Sequence, residues 1–368
     1  MDSVRDRIAE MLLTPLSWIY GAATELRNKM FDWNLLRSYR FDVPVVCVGN
    51  ISVGGTGKTP HVEYIISRLS QDFKIGVVSR GYRRKTKGFV LATSHSTPDT
   101  IGDEAYQIYR KFGRRIRLAV CESRRKGIEG LLSLYDDIDL ILLDDGFQHR
   151  YVEPSISLLL MDYTHPFYED TLLPLGTLRE SRFAINRADY VIVTKCPSMT
   201  PLAYSLMAGK LDLMSYQKLF FSKVAYDSLE PVFEEEARYT ASLNALTSKD
   251  AVLLVTGIAR PRSLVKYVSS FPFRTRVCHF PDHHSFGKKD LARIQASFAG
   301  MKGSRKIILT TEKDAVRMIN NPYFPHQLKP FCFYLPIRVD MMEGGSHGEF
   351  IEALRADISS QIRKNKDK

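Results

Sequence analysis

Cysteine is scarce in this sequence, and its spacing does not suggest pairing or metal binding. The 368 residues include five scattered cysteines without a CxxC pair: Cys47, Cys121, Cys196, Cys278 and Cys332. A disulfide-stabilised secreted scaffold and a cysteine-based zinc motif are therefore not expected. We predict reduced thiols that face a reducing compartment, each behaving as a small buried hydrophobic side chain.

A basic leader and a membrane-spanning run are also missing near the start of the chain. The first ten residues hold Arg5 and Arg7 against three acidic residues, which disfavours a signal peptide. Residues 11–24 carry no charge, but a helix needs about 20 residues to cross the hydrocarbon core. This run is therefore too short to be a transmembrane span.

Residues 1–38 are instead predicted to form an amphipathic helix at a membrane interface. Several apolar residues fall near one helical face, with two aromatic residues beside it: Val4, Ile8, Met11, Leu12, Ile19, Ala23, Trp18 and Tyr20. Basic residues follow at Arg27, Lys29, Arg37 and Arg40, where they can meet acidic headgroups. A helix docked on the protein's own core would produce the same pattern, so the residues alone leave both alternatives open.

Positive charge is in excess, and it is concentrated in one stretch. The net charge is +11, and residues 80–126 contain thirteen Lys or Arg against four Asp or Glu. Such a patch suits phosphate groups, whether of a nucleotide, a nucleic acid or an anionic lipid. No zinc-knuckle, RRM-like or helix-turn-helix signature accompanies it, so nucleic acid is not a predicted partner.

Apolar runs of strand length alternate with helical patterns along most of the chain. Strands are predicted at 45–49, 75–79, 116–120, 140–143, 156–161 and 190–194, with helices at 58–69, 103–112 and 124–134. A second alternating series of strands begins at 251–256 and continues through 277–280, 306–310 and 331–335. Buried strands that alternate with helices predict an α/β fold with a mostly parallel sheet. We expect a P-loop NTPase-like domain at 39–218, then an extended connector and a smaller α/β domain within 219–368.

The segment SVGGTGKT after the first predicted strand matches the phosphate-loop pattern, apart from serine at the first glycine position. Its glycines allow backbone N–H groups to point inward as an anion cradle, and the helix that follows adds its positive end. Lys58 is predicted to reach the β- and γ-phosphates of ATP, and the Thr59 hydroxyl to bind Mg²⁺. The predicted ATP-binding residues are Ser52, Val53, Gly54, Gly55, Thr56, Gly57, Lys58 and Thr59.

A phosphate loop needs a metal-side carboxylate at the end of a nearby strand. The apolar run 140–143 ends in Asp144 and Asp145, which we predict as the Mg²⁺ side of the site. Neighbouring residues of a regular strand point to opposite faces, so at most one of the two is expected to reach the metal directly. Thr194-Lys-Cys-Pro197 lacks the aspartate that pairs with guanine, which favours ATP over GTP.

Seven segments resemble the tetraacyldisaccharide 4'-kinase family, the lipid A 4'-kinases of Gram-negative bacteria. They are VGNISVGGTGKTP (48–60), SRGYRRK (79–85), GDEA (102–105), DDGFQHR (144–150), LPLGTLRES (173–181), FPDHHSF (280–286) and TTEKDAVRM (310–318). One local departure is Arg83, which stands where the family is expected to have glycine.

The resemblance implies transfer of the ATP γ-phosphate to the 4'-hydroxyl of an acylated glucosamine disaccharide 1-phosphate, in a cleft between two domains. It implies Asp103 as the base and His283 as its partner from the other domain, with Lys58 on the phosphates. The substrate-side residues that it implies are Tyr82, Glu104, Gln148, His149, Arg179 and Glu180. It also implies a peripheral location on the cytoplasmic face of the bacterial inner membrane, against anionic lipids.

A competing hypothesis is a P-loop switch protein or metal-delivery protein with no small-molecule acceptor. It would share the phosphate loop and the paired aspartates. A metal-delivery protein is expected to carry a His-rich or Cys-rich tract, which this sequence lacks. His279, His283 and His284 lie close in sequence, but Pro281 interrupts them, and we do not predict a zinc site there.

Overall fold

The computed structural model describes residues 2–237, 242–282, 284–342 and 349–366, and these residues form two sheets flanked by helices. The strands are β1 (Val45–Gly49), β2 (Ile75–Ser79), β3 (Val90–Leu91), β4 (Ile116–Val120), β5 (Leu140–Asp144), β6 (Ile156–Asp162), β7 (Tyr190–Thr194), β8 (Lys218–Tyr226), β9 (Glu230–Pro231), β10 (Ala251–Thr256), β11 (Arg274–His279), β12 (Lys306–Thr311), β13 (Cys332–Leu335) and β14 (Ile337–Met341). The helices are α1 (Asp2–Asp32), α2 (Lys58–Leu69), α3 (Pro98–Ile101), α4 (Asp103–Phe112), α5 (Arg124–Leu134), α6 (Pro201–Leu211), α7 (Arg262–Val268), α8 (Lys288–Ala299), α9 (Glu312–Ile319) and α10 (Phe350–Lys366).

Nine strands form the larger sheet, in the order β14-β8-β7-β6-β1-β5-β2-β4-β3. Its inner strands pair in parallel, and antiparallel partners occur only at its two edges. The inner strands consist largely of Val, Ile and Leu, and every residue of β1, β2, β5, β6 and β7 is buried. Burial on both faces is what a parallel sheet covered by helices requires. The predicted mostly parallel α/β architecture is confirmed.

The smaller sheet has five strands in the order β11-β10-β12-β13-β9, antiparallel only where β13 meets β9. Its core includes apolar residues from α8 and α9, among them Leu291, Ile294 and Met318. We call this sheet with α7, α8 and α9 the five-stranded unit. The larger sheet with its helices, including α10, is the nine-stranded unit.

The chain passes between the two units differently from the prediction. The segment expected as an extended connector is β8, a strand that pairs with β7 in parallel and with β14 in antiparallel orientation. Its first half is buried, including Phe220 and Phe221. β14 follows β13 directly and returns to the nine-stranded unit, and α10 packs there through Phe350 and Leu354. A connector and a sheet strand are both extended, and the pairing with β7 and with the distant β14 distinguishes them.

Helix α1 docks on the nine-stranded unit along one face and exposes the other. Ser17 Oγ donates to the Leu172 carbonyl at 2.8 Å, and Tyr20 Oη to the Arg179 carbonyl at 2.9 Å. Phe31 is buried. On the other face, Met11 and Trp18 are 80% and 73% exposed. In the described ranges, no helix combines the length and the apolar character that crossing a membrane demands.

All five cysteines are buried in the structure as free thiols. Burial raises the pKa of the Cys47 thiol to about 12, which keeps it protonated at neutral pH. These side chains therefore act as parts of the core.

Candidate nucleotide and acceptor site

The phosphate loop connects β1 to α2, and two glycines make its turns possible. Gly54 and Gly57 have φ angles of +117° and +91°, a region that other residues rarely adopt. Gly57 precedes α2, whose first two residues are Lys58 and Thr59. The loop therefore follows a buried strand and opens a helix, which is the setting in which backbone N–H groups bind phosphate.

Two neighbouring segments, one at 194–195 and one that contains Thr177, hold the loop in place. Thr194, at the end of β7, donates from Oγ1 to the Thr56 carbonyl at 2.8 Å. The ammonium group of Lys195 donates to the Gly55 carbonyl. On the other side, the Val53 N–H donates to the Thr177 carbonyl at 2.7 Å. The loop is thus supported from the carboxyl edge of the sheet before any nucleotide binds.

Lys58 lies between Asn50 and Asp145. Its Nζ is 3.1 Å from Asn50 Oδ1 and 3.5 Å from Asp145 Oδ1. Asn50 is fully buried and donates through Nδ2 to the Ser52 carbonyl at 2.7 Å. We did not predict Asn50 as a site residue. The sequence feature that could have identified Asn50 is its position between β1 and the loop, within the matching segment 48–60.

Asp144 and Asp145 end up in different environments, because Asp145 has a φ of +50° and leaves the strand direction. Asp145 points to Lys58 and Arg179, the latter at 3.3 Å. Burial acts to raise the pKa of the Asp145 carboxyl, but these two cations outweigh burial and hold that pKa below its usual value. The Asp144 carboxyl accepts from Ser79 Oγ at 3.1 Å. Burial, together with the charges of Glu104 and Asp145, raises its pKa to about 7.

The carboxylate of Asp144 fits a divalent cation. Its Oδ1 is buried and has no hydrogen-bond partner among the residues that the structure describes, which is costly unless a ligand or ion satisfies it. In those same ranges, no cluster of three His, Cys, Asp or Glu side chains is arranged for metal binding. Mg²⁺ does not need one, because it usually takes one or two protein oxygens together with phosphate and water.

Asp103 begins α4 and faces α9 of the five-stranded unit. Arg317 contacts Asp103 Oδ2 through Nε at 2.9 Å and through Nη2 at 2.8 Å. Arg317 is itself held by Asp314 Oδ1 at 2.9 Å. The buried Asp314 also accepts from the Gly257 N–H at 2.9 Å. Next to this pair, Glu104 meets Lys313 at 3.0 Å, so α9 positions both acids at the start of α4.

Sequence reasoning missed Arg317, although it lies in the matching segment 310–318. The available signal was the i, i+4 spacing of Lys313 and Arg317, which puts two cations on one face of a helix. His283, the predicted partner of Asp103, lies outside the described residues. The nearby His284 donates from Nε2 to Asp290 Oδ2 at 2.9 Å, in the first turn of α8.

Arg179 and Gln148 lie together beside the phosphate loop. Arg179 Nη1 is 3.3 Å from Gln148 Oε1 and contacts Asp145 as well. Gln148 donates from Nε2 to the Asn50 carbonyl at 2.6 Å, and its own carbonyl accepts from Arg27 of α1 at 3.4 Å. These contacts connect the metal-side carboxylates to the N-terminal helix.

The remaining predicted substrate residues differ in accessibility. Glu180 is buried and accepts from Asn28 at 3.0 Å and from Arg187 at 2.8 Å. Burial and nearby arginines lower the pKa of His149 to about 4, so its ring is neutral at pH 7 and accepts from the Arg124 N–H at 3.3 Å. Glu180 is therefore enclosed by the protein, where it connects Asn28 of α1 with Arg187.

Tyr82 is exposed next to the start of α4. A Cβ built on Gly102 would lie 2.8 Å from the Tyr82 carbonyl oxygen, and Gly102 has a φ of +86°. Glycine is therefore required immediately before Asp103. Arg83 has a φ of +61°, the left-handed region in which glycine is the least strained residue, and this explains the glycine expected at that position.

The comparisons with known proteins agree with one another. A family model described as tetraacyldisaccharide-1-P 4'-kinase matches residues 9–358. A tetraacyldisaccharide 4'-kinase from Bacteroides thetaiotaomicron is 49% identical over 339 residues, covering 90% of this chain and 89% of that protein. One from Flavobacterium johnsoniae is 40% identical over 328 residues, covering 89% and 91%. The "apo" form of LpxK from Aquifex aeolicus in complex with ATP has the same fold, with a TM-score of 0.72, 24% identity and coverage of 96% and 99%.

Proposed function

The chain belongs to the tetraacyldisaccharide 4'-kinase family, and from that premise we propose that it is a lipid A 4'-kinase. It transfers the γ-phosphate of ATP to the 4'-hydroxyl of an acylated glucosamine disaccharide 1-phosphate. Family membership does not favour the alternative of a switch or metal-delivery protein without an acceptor.

One observation carries the assignment of the site: donor-side and acceptor-side groups meet at the carboxyl edge of the nine-stranded sheet. Lys58 lies 3.5 Å from Asp145, and Glu104, next to Asp103, is close enough to raise the pKa of Asp144. Phosphoryl transfer depends on positioning and on charge stabilisation. Both positioning and charge stabilisation are available where a cation, two proposed metal-side carboxylates and a proposed acceptor-side carboxylate surround one space.

In the proposed reaction, the 4'-hydroxyl oxygen forms a bond to the γ-phosphorus, and the bond between that phosphorus and the β–γ bridging oxygen breaks. The hydroxyl proton goes to the carboxylate of Asp103, and ADP departs with the electron pair of the broken bond. Lys58 and the N–H groups of residues 52–59 stabilise the charge on the phosphate oxygens. His283 is proposed to support Asp103.

We assign Mg²⁺ to the Thr59 hydroxyl and to Asp144, whose buried Oδ1 lacks a partner among the described residues. Asp145 is proposed to act from the edge of that site, because its carboxylate already meets Lys58 and Arg179. When bound, the metal would supply charge neutralisation on the phosphates. Tyr82, Glu104, Gln148, His149, Arg179 and Glu180 remain the proposed substrate-side residues, with Glu180 and His149 acting through the contacts described above.

The membrane assignment rests on α1. Its docked face carries Ser17, Tyr20 and Phe31, whereas Met11, Leu12 and Trp18 project from the protein. An exposed apolar helical face with basic residues beyond it is suited to the headgroup region of an anionic bilayer. We therefore propose a peripheral enzyme on the cytoplasmic face of the inner membrane, where an acylated substrate and ATP are both accessible.

The test of this function uses purified protein, Mg²⁺, ATP labelled at the γ-phosphate and a detergent-dispersed tetraacyldisaccharide 1-phosphate. We expect label in a lipid product that carries one additional phosphate. Release of labelled inorganic phosphate at the same rate with and without the lipid would favour the switch hypothesis instead.

A further inference from the structure

The segment after β10 carries Arg260 from the five-stranded unit to the phosphate loop of the other unit. Arg260 Nη1 lies 3.3 Å from Asp162 Oδ2 at the end of β6. A Cβ built on Gly54 would lie 3.6 Å from Arg260 Nη2 and 3.9 Å from its Cζ. The guanidinium group therefore lies beside the edge of the phosphate loop.

Two cations share one carboxylate at this position. Asp162 Oδ2 meets Lys195 Nζ at 2.7 Å as well as Arg260, and its side chain is only 2% exposed. Asp162 Oδ1 accepts from the N–H and Oγ1 of Thr164, at 2.9 Å and 2.7 Å. Lys195 also donates to the Gly55 carbonyl, which carries no net charge. One positive charge in this cluster is therefore not neutralised, and it lies beside the phosphate loop.

The position and chemistry of Arg260 match a contact to the terminal phosphate of ATP. Gly54 is the third residue of the eight-residue segment 52–59, four residues before α2 begins at Lys58. A guanidinium group forms paired, charge-assisted hydrogen bonds to phosphate oxygens. An arginine supplied by a separate element stabilises the charge that develops on a transferring phosphoryl group. Among the described residues Arg260 makes one hydrogen bond, to Asp162, and its side chain is 35% exposed.

We propose that Arg260 is a further catalytic residue, which binds the γ-phosphate of ATP from the five-stranded unit. This inference rests on the proposed kinase function and adds a residue that the phosphate-loop pattern does not contain. In the absence of nucleotide, Asp162 holds the guanidinium group beside the loop. When ATP binds, Arg260 moves from Asp162 to the γ-phosphate, and Lys195 stays with Asp162.

The test compares Arg260→Gln and Arg260→Lys with Arg262→Gln. Arg262 lies two residues further on, is exposed at the start of α7, and its substitution removes the same charge. Equilibrium binding of a non-hydrolysable ATP analogue and of ADP is measured for each variant, together with single-turnover phosphate transfer. We expect Arg260→Gln to weaken analogue binding about tenfold with ADP binding unchanged, and to slow transfer on the order of 10³-fold. Arg260→Lys is expected to recover part of the rate, and Arg262→Gln to match wild type.

Equal weakening of the analogue and of ADP would overturn the assignment, since it would put Arg260 on the inner phosphates or the ribose. Losses no larger than those of Arg262→Gln would also overturn it. If the wild-type protein failed to phosphorylate the lipid, the proposed function would be wrong. The difference between analogue binding and ADP binding would still test the role of Arg260, because these binding measurements need no acceptor lipid.

Discussion

At the scale of single residues, the site depends on carboxylates and cations whose charges balance incompletely. Lys58 and Arg179 neutralise Asp145, whereas the buried Oδ1 of Asp144 has no partner in the described part of the chain. Buried charges are retained where a ligand compensates them. The imbalance therefore supports the proposed Mg²⁺ position on the Asp144 side of the site.

Lys58→Ala is expected to reduce phosphate transfer on the order of 10²–10³-fold, because the charge on the transferring phosphate loses its stabilising partner. Asp145 keeps its contact with Arg179, so the unfolding temperature is expected to stay close to that of wild type. Transfer rates and thermal unfolding are measured beside Lys289→Ala, an exposed residue of α8. A rate within twofold of wild type would contradict the role of Lys58.

Asp144→Asn and Asp145→Asn are expected to have opposite effects on stability. Asp144→Asn removes a buried carboxylate without a full set of partners, so the nucleotide-free protein at pH 8 gains thermal stability. Asp145→Asn leaves Lys58 and Arg179 without their counter-charge, so it loses stability. Asp144→Asn is also expected to raise the Mg²⁺ concentration needed for half-maximal binding of an ATP analogue. A larger Mg²⁺ effect in Asp145→Asn would reverse the metal assignment.

At the scale of elements, α9 lies against the proposed base although it belongs to the five-stranded unit. It presents Arg317 to Asp103 and Lys313 to Glu104. The side chain of Arg317 is 7% exposed and is fixed by the buried Asp314. In the proposed mechanism, Arg317 is therefore a positioning residue, which acts through the carboxylate of Asp103.

A double-variant experiment tests this positioning. Asp103→Asn is expected to lower kcat by about 10²–10⁴-fold, as loss of a general base does. Arg317→Lys keeps the charge beside Asp314 but loses the paired contact, and a misplaced base costs roughly 10²-fold. In the Asp103→Asn background, Arg317→Lys should have little further effect on kcat, and the KM for ATP should stay unchanged in both backgrounds.

Multiplicative losses in the double variant would mean that Arg317 acts independently of Asp103. The matched control is Arg110→Gln, which breaks the 3.3 Å ion pair between α4 and Glu234 without contacting Asp103.

Helix α1 is docked on the protein's own core, one of the two alternatives that its sequence left open, and its contact with a membrane remains proposed. It is docked through hydrogen bonds from Ser17 and Tyr20, and it also exposes Met11, Leu12, Leu16, Trp18 and Ile19. Deleting the helix would therefore remove packing contacts as well as the exposed face. Point substitutions on that exposed face separate the two effects.

The double variant Leu12→Gln/Trp18→Gln is expected to reduce sedimentation with anionic vesicles while the unfolding temperature stays unchanged. Both side chains are exposed, so the folded protein loses little packing. Wild-type binding should weaken as salt rises, because salt screens the attraction to headgroups. Leu134→Gln, an exposed leucine of α5, is the control. Vesicle binding equal to that of the control would mean that α1 does not contact the membrane.

At the scale of the whole molecule, a cleft of about 790 Å³ lies between the two units and is lined by residues of both. Glu63 of α2 and Lys111 of α4 meet there at 2.5 Å, and Lys111 lies 3.7 Å from Glu312 of α9. Burial and the charge of Glu63 raise the pKa of Glu312 to about 7, against the pull of Lys111. The phosphate-loop helix, the helix of Asp103 and the five-stranded unit are thus coupled through one titrating cluster.

This cluster predicts a pH dependence of stability. A carboxyl group whose pKa is raised in the folded state favours folding at low pH, and this contribution is lost as pH rises from about 4.5 to about 7. Glu312→Gln is therefore expected to reduce the fall in unfolding temperature between pH 5 and pH 8. Glu234→Gln, an exposed acid of the same cleft, should keep the wild-type slope. Identical slopes in all three proteins would contradict the prediction.

Local patterns in the sequence determined the parallel sheet and the phosphate loop. Apolar runs of four to six residues marked the buried strands, and the glycines with Lys58 and Thr59 marked the loop, since both signals lie within a few neighbouring residues. The segments of the kinase family then pointed to Asp103 as the base, a role that remains proposed.

Only the tertiary structure decided which distant groups complete the site. The separation of Asp144 from Asp145 depends on one left-handed residue, and β8 is an inner strand because β14 returns more than a hundred residues later to pair with it. Arg317 and Arg260 reach the site from the other unit, 214 residues from Asp103 and 98 residues from Asp162. Sequence periodicity reports which face of an element is buried. It carries no information about which remote side chain meets that face, and this depends on how the two units pack.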